Sequence, residues 1–272
     1  MDSFNARLAT SAKRAGSWLC VGLDPDPAQY PAGLNEEDTL EFCLGVVEAT
    51  ADVACAVKPN AAFFEALGAV GDDALHGLVE RMPPGLPVIL DGKRNDIGNT
   101  AKKYAEAAFE VLGADAVTVT PYLGRDTVEP FAAYADKGVF LLARTSNASA
   151  GDFQDLPVDG KGTKLYEAVA RKAMEWNKEF HNLGLVAGAT YPDELATLRA
   201  VCGDGVPLLI PGVGAQGADA KATLAKGADR SGSFAVVNVG RAILQAGKGD
   251  DWREAAATAA RGYAKTLASR IA

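Results

Sequence analysis

Histidine is nearly missing from this chain: two occur in 272 residues, His76 and His181. Both fall on stretches with amphipathic helical spacing, where a solvated or packing role is the ordinary one. Histidine-based catalysis and a His-rich metal site therefore have little to stand on. Cysteine is scarce too, and Cys20, Cys43, Cys55 and Cys202 stand singly inside apolar stretches. Without a CxxC pair, neither a zinc site nor a disulfide framework is indicated, and buried reduced thiols are expected. No basic run interleaved with aromatics occurs, and 27 Lys+Arg against 35 Asp+Glu give a net charge of -8, which argues against nucleic acid as a partner. No stretch approaches the roughly 18 uninterrupted apolar residues of a membrane span, and residues 1–20 lack an apolar core of signal-peptide length. Membrane association is not expected, and the cytoplasm is the default location.

What the chain has is regular alternation. With 48% hydrophobic and 23% charged residues it lies in the ordinary globular range, long enough to fold as one barrel-sized domain over 1–272. Short runs rich in Val, Ile, Leu and Ala predict strands at 18–24, 53–58, 87–91, 116–121, 138–144, 183–189, 207–211 and 235–239. Amphipathic stretches predict helices at 36–50, 61–82, 100–112, 126–135, 163–182, 193–201, 218–226 and 251–271. Eight such pairs in about 250 residues is the count and size of a (β/α)8, or TIM, barrel. An open doubly wound sheet would alternate in the same way. The barrel is favoured by what stands just past the strands: Asp24, Lys58, Asp91 with Lys93, Ser146, Gln216 and Arg241. In a barrel all of those ends face one mouth. Residues 145–162 form the longest polar connection, and a stretch of that kind is expected to act as a lid or binding loop.

Three clusters carry chemistry. Strand three ends as Leu90-Asp91-Gly92-Lys93, and because strand side chains alternate, Asp91 and Lys93 are expected on one side, with Asp96 three residues on. Acids around a lysine in a confined space make it a proton donor beside developing negative charge. The start of a helix follows, Asp96-Ile97-Gly98-Asn99-Thr100. Glycines in Pro211-Gly212-Val213-Gly214-Ala215-Gln216-Gly217, together with Gly240-Arg241 after strand eight, suit a phosphate, since backbone N–H groups can approach an anion and arginine supplies a forked donor. Lys58-Pro59-Asn60 closes strand two and Asp24 closes strand one. An ammonium at the end of an apolar strand is costly to bury alone, so Lys58 is expected to pair with Asp91 or Asp24. The residues thus point to an enzyme acting on a phosphorylated small molecule.

The run LDGKRNDIGNT resembles the orotidine 5'-phosphate decarboxylase family, in the branch that carries it in this form. So do Cys20 to Asp24, VKPN at 57–60, RTSN at 144–147, GATYPDEL at 188–195, PGVGAQG and NVGRAI at 238–243. The resemblance runs through almost the whole chain in order. It implies cofactor-independent loss of CO2 from orotidine 5'-phosphate to give UMP, with neither metal nor organic cofactor. It implies a charged array of Lys58, Asp91, Lys93 and Asp96, with Asp96 entering the site of a partner subunit in a homodimer. It further implies that Asp24 and Lys58 contact ribose, that Thr100 crosses the subunit interface with Asp96, that Ser146 holds the pyrimidine edge, and that Gln216, Gly240 and Arg241 grip phosphate. Asn60, Ile97 and Pro211 complete the expected substrate-binding set. Two positions depart from the branch: Asn95, where glycine is frequent, and Ala148, where proline often follows the asparagine. The alternatives are a metal-assisted phosphosugar decarboxylase or synthase, and a catalytically silent nucleotide-binding barrel.

Overall fold

The computed structural model describes residues 2–214 and 218–268. Its strands are β1 (Leu19–Leu23), β2 (Ala56–Pro59), β3 (Ile89–Arg94), β4 (Ala116–Val119), β5 (Gly138–Arg144), β6 (Leu183–Ala187), β7 (Leu208–Pro211) and β8 (Ala235–Val239). All neighbours pair in parallel in the order β2-β1-β8-β7-β6-β5-β4-β3. Between β2 and β3 the ladder is reduced to single bridges, Val57 with Val88 and Asn60 with Asp91, which bring the two edges together into a barrel. The helices are α1 (Phe4–Ala15), α2 (Thr39–Thr50), α3 (Ala61–Glu65), α4 (Gly68–Glu80), α5 (Gly98–Glu106), α6 (Arg125–Ala132), α7 (Gly151–Gln154), α8 (Leu165–Phe180), α9 (Pro192–Cys202), α10 (Ala220–Gly227), α11 (Arg241–Leu244) and α12 (Trp252–Thr266). Among the described residues, no helix is long and apolar enough to cross a membrane.

Two apolar clusters account for the barrel. The larger joins one face of the strands, for example Val21, Val57, Leu90, Val117, Leu141, Leu185, Ile210 and Val237, to the inner faces of the surrounding helices. The smaller takes one residue from every strand, Cys20, Ala56, Ile89, Ala116, Phe140, Val186, Leu209 and Val236. Opposite strand faces thus feed two cores, which is why the strands are nearly apolar throughout rather than alternating. Helix α1 closes the lower end: Phe4, Leu8 and Ala12, spaced by four, point into the smaller cluster, where the Phe4 ring meets Phe140 edge-on at 5.9 Å. Ser3 caps this helix at its start and Gly16 ends it in the left-handed conformation.

The expected helix at 61–82 is two helices, α3 and α4. They separate at Ala66 and Leu67, and Gly68 opens α4 with a φ of +59°, so the chain turns there instead of continuing one helix. Helix α5 begins two residues earlier than expected and runs on into a π-helical turn, Ala107–Val111. Residues 145–162, expected as a polar loop, include a 3₁₀ turn (Ala148–Ala150) and α7. The final turn of the expected helix at 251–271 lies outside the described residues. The four cysteines are free, three of them fully buried, and burial pushes the Cys20 thiol up to about 12 despite nearby Lys58.

Candidate active site

Two residues along seven of the strands from the closed apolar layer, the barrel interior changes character. Above Cys20, Ala56, Ile89, Ala116, Phe140, Leu209 and Val236 come Gly22, Lys58, Asp91, Thr118, Leu142, Pro211 and Asn238. They open into a cleft with two adjoining chambers of about 140 and 380 Å³ that share Lys58, Asp91 and Pro211. The smaller chamber adds Asp24, Asn60, Gly212, Val213, Asn238, Gly240 and Arg241. The larger adds Lys93, Thr118, Leu142, Thr145, Ser146, Asn147, Val186 and Leu209.

At the junction of the chambers sits the Asp91 carboxylate. Lys58 Nζ donates to its Oδ2 at 2.6 Å and Lys93 Nζ to its Oδ1 at 2.6 Å. The two ammonium groups differ in access, because the Lys58 side chain is 5% exposed and that of Lys93 49%. Burial by itself would raise the Asp91 carboxyl, but the two lysines overcome it and hold the group well below the usual carboxylate range. Burial would lower Lys58, and the charges of Asp91 and Asp24 reverse that and raise it. The pairing expected for Lys58 is thus with Asp91, and Asp24 contributes field.

Strand alternation does not by itself bring Lys93 here. Pairing between β3 and β4 shifts register between Leu90 and Arg94, and Lys93 adopts a left-handed φ of +46°. Its backbone N–H then donates to Thr118 Oγ1 at 2.9 Å, while the Thr118 hydroxyl donates to Asp91 Oδ1 at 3.0 Å. Thr118 is fully buried on β4. Sequence reasoning passed it over; a lone hydroxyl in the apolar strand Ala-Val-Thr-Val was the available signal.

The smaller chamber combines acceptors and a cation. Asp24 Oδ1 and Asn238 Oδ1 are buried without a hydrogen-bond partner among the described residues, and both residues line the chamber. Such acceptors fit a ligand rich in hydroxyl donors. At its far side Gly212 and Gly214, with φ of +110° and +83°, turn the chain sharply, and Arg241 is exposed at the start of α11. Gln216 lies outside the described residues. Among the described residues, no group of three or more His, Cys, Asp or Glu side chains is arranged to hold a metal ion.

Ser146 stands two residues past a buried arginine that braces its segment. Arg144, the last residue of β5, is buried, with its guanidinium 3.9 Å from the Tyr191 ring centroid. It donates to Asp155 Oδ2 at 3.1 Å, Gln154 Oε1 at 3.3 Å and Thr145 O at 3.1 Å, so the root of the 145–162 segment is held firmly. This anchoring role was not anticipated from sequence. Asp96, Ile97 and Thr100 are not part of the cleft: Asp96 Oδ1 accepts from Ile97 N at 2.7 Å, and Ile97 is 63% exposed. The remaining candidates, Asp24, Lys58, Asn60, Asp91, Lys93, Ser146, Pro211, Gly240 and Arg241, all line the cleft.

Residues 17–258 match the family described as "Orotidine 5'-phosphate decarboxylase / HUMPS family". The orotidine 5'-phosphate decarboxylase of Azoarcus sp. (strain BH72) is 51% identical over 263 residues, which cover 94% of this chain and 95% of that one. Among solved structures, the Leishmania donovani OMP decarboxylase superposes with a TM-score of 0.84 at 42% identity, covering 98% of this chain and 99% of the other. The Leishmania donovani UMP synthase gives 0.86 at 44% identity; 97% of this chain is covered, but only 56% of the synthase chain. A barrel of this topology, a Lys-Asp-Lys array at its mouth and agreement over nearly the full length lead to one conclusion: the chain belongs to the orotidine 5'-phosphate decarboxylase / HUMPS family.

Proposed function

We propose that this chain removes CO2 from C6 of orotidine 5'-phosphate to give UMP, the decarboxylation step of pyrimidine nucleotide synthesis, with no metal or organic cofactor. The observation that carries the reading is the Asp91 carboxylate shared by two lysines of unequal exposure, set between a polar chamber and a partly apolar one. In the reaction the C6–carboxyl bond breaks, its electron pair stays on C6, and the Lys93 ammonium stabilises that charge and then gives C6 its proton. Lys93 is half exposed and regains a proton from water; buried Lys58 serves to fix Asp91. Asp91 orients Lys93 and repels the substrate carboxylate. Leu142, Val186 and Leu209 offer the departing neutral CO2 an apolar wall. Asp24 and Asn60 bind the sugar, Ser146 the pyrimidine edge, and Pro211, Gln216, Gly240 and Arg241 the phosphate end. Binding energy gathered at the phosphate, far from the reacting carbon, is available to close loops over the site.

The chain 1–272 acts as a single barrel domain in the cytoplasm and pairs with a second copy, so that Asp96, Ile97 and Thr100 reach the neighbouring cleft. Exposed apolar side chains support that pairing: Ile97, Tyr122 and Phe153 at 63%, 84% and 71%. The test is the fall of orotate absorbance when chelator-treated protein meets orotidine 5'-phosphate. Chelator-insensitive loss supports the reading. Loss only after a divalent ion is added, or UMP binding without any loss, overturns it.

A further inference from the structure

We propose that Thr118 is a positioning residue for Lys93: its hydroxyl links the Asp91 carboxylate to the left-handed backbone of Lys93 and so fixes where the ammonium stands. The inference rests on the reading of Lys93 as the proton donor.

Three observations converge on this one oxygen. The hydroxyl has a single proton, and it is directed to Asp91 Oδ1 at 3.0 Å, the same oxygen that accepts from Lys93 Nζ at 2.6 Å. Its lone pair accepts the backbone N–H of Lys93 at 2.9 Å. That N–H belongs to one of only three non-glycine residues with positive φ among those described, and it stands where the β3–β4 ladder slips register. A non-glycine residue in the left-handed region persists only when its surroundings over-determine it. Here the ladder cannot do so, because the slip removes the ordinary strand partner. Thr118 supplies the missing acceptor from a side chain that is 1% exposed.

The geometry has a directional logic. Asp91 accepts Lys58 on one oxygen, and Lys93 together with Thr118 on the other. The carboxylate is thereby prevented from rotating about its terminal bond, and both ends of the Lys93 residue, backbone and ammonium, are referred to the same Oδ1. A residue arranged in this way sets the position of the acid without touching the substrate, so its loss should appear in turnover rather than in binding.

The experiment compares Thr118→Val, close in shape but without the hydroxyl, with Thr118→Ser, which keeps it. The valine variant is expected to lose roughly tenfold to a hundredfold in kcat, as small misplacements of a reacting group do, with KM changed by less than about threefold. The serine variant is expected to recover kcat to within about threefold of the parent. A crystal structure of Thr118→Val should show Lys93 leaving the left-handed region or its ammonium leaving Asp91 Oδ1, a readout independent of the reaction. Should the valine variant be recovered unfolded, Thr118→Cys, with a weaker hydrogen-bonding group, takes its place: its kcat should lie below that of the serine variant and down to about a hundredfold below the parent's, and parent-like turnover would overturn the proposal. The proposal is overturned if the valine variant turns over like the parent, or if serine is as damaged as valine. Absence of decarboxylation in the parent protein would instead sink the reading of the site and leave the structural comparison standing.

Discussion

Ile89 and Asp91 lie on the same strand, two residues apart, on the same side of the sheet, and their surroundings have almost nothing in common. Ile89 sits in a closed layer that takes one apolar side chain from every strand and is sealed beneath by α1. Asp91 sits among two ammonium groups and a hydroxyl at the floor of an open cleft. One pleat of strand therefore separates the part of the barrel that is held by burial from the part that is held by compensated charge. The lower layer loses stability in proportion to volume removed; the upper one loses it whenever one partner is taken without the other.

The sharpest way to break the contrast is Lys93→Ala. It should lower kcat by about four orders of magnitude or more while UMP binding, read by titration calorimetry, persists, since the variant removes the proton source and leaves the binding chamber intact. Near-normal turnover would show that the upper layer is not organised around this ammonium. Next comes Asp91→Ala, which strands the buried Lys58 charge and should cost about 3–5 kcal/mol in urea unfolding. Lys58→Met combined with Asp91→Leu should recover most of that stability and none of the activity. Ile89→Val, one pleat below, should cost only about 0.5–1.5 kcal/mol and leave kcat unchanged. If instead it impairs turnover, the two layers are not separable.

The gentlest probe is pH. Asp91 is held below the ordinary carboxylate value near 3.9, so its contribution to stability is complete above about pH 5 and is lost as pH falls below about 4. Lys58 is raised above its ordinary value, so its contribution is complete below about pH 10 and is lost as pH climbs beyond. Thermal melts across pH 3 to 11 should show this plateau, and Asp91→Asn should flatten both limbs.

The two layers were also unequally legible in the sequence. Strand positions follow from apolar runs because both faces of each strand are buried, and all eight are present with ends shifted by a few residues. The charged residues were found because carboxylates and ammonium groups at strand ends have no bland explanation. The sequence was silent where tertiary context decides. Helix α1 earns its place only as a plug beneath the barrel, and its spacing of Phe4, Leu8 and Ala12 went unread. The left-handed φ of Lys93 cannot be inferred from a lysine in an apparently regular strand, and Thr118 matters only because of that backbone. Arg144, read only as part of a motif, is a buried brace for the segment bearing Ser146.

Among the described residues, the joint between β2 and β3 is the one place where the ring of strands is fastened by single bridges rather than by a ladder. Lys58 belongs to β2 and Asp91 to β3, so their 2.6 Å contact is also a clasp across that gap. The hoop and the chemistry consequently share a fastener. A descendant that traded these two charges for a new reaction would have to find another way to keep its hoop shut, and a hinge at this joint would open the wall of the cleft before any other.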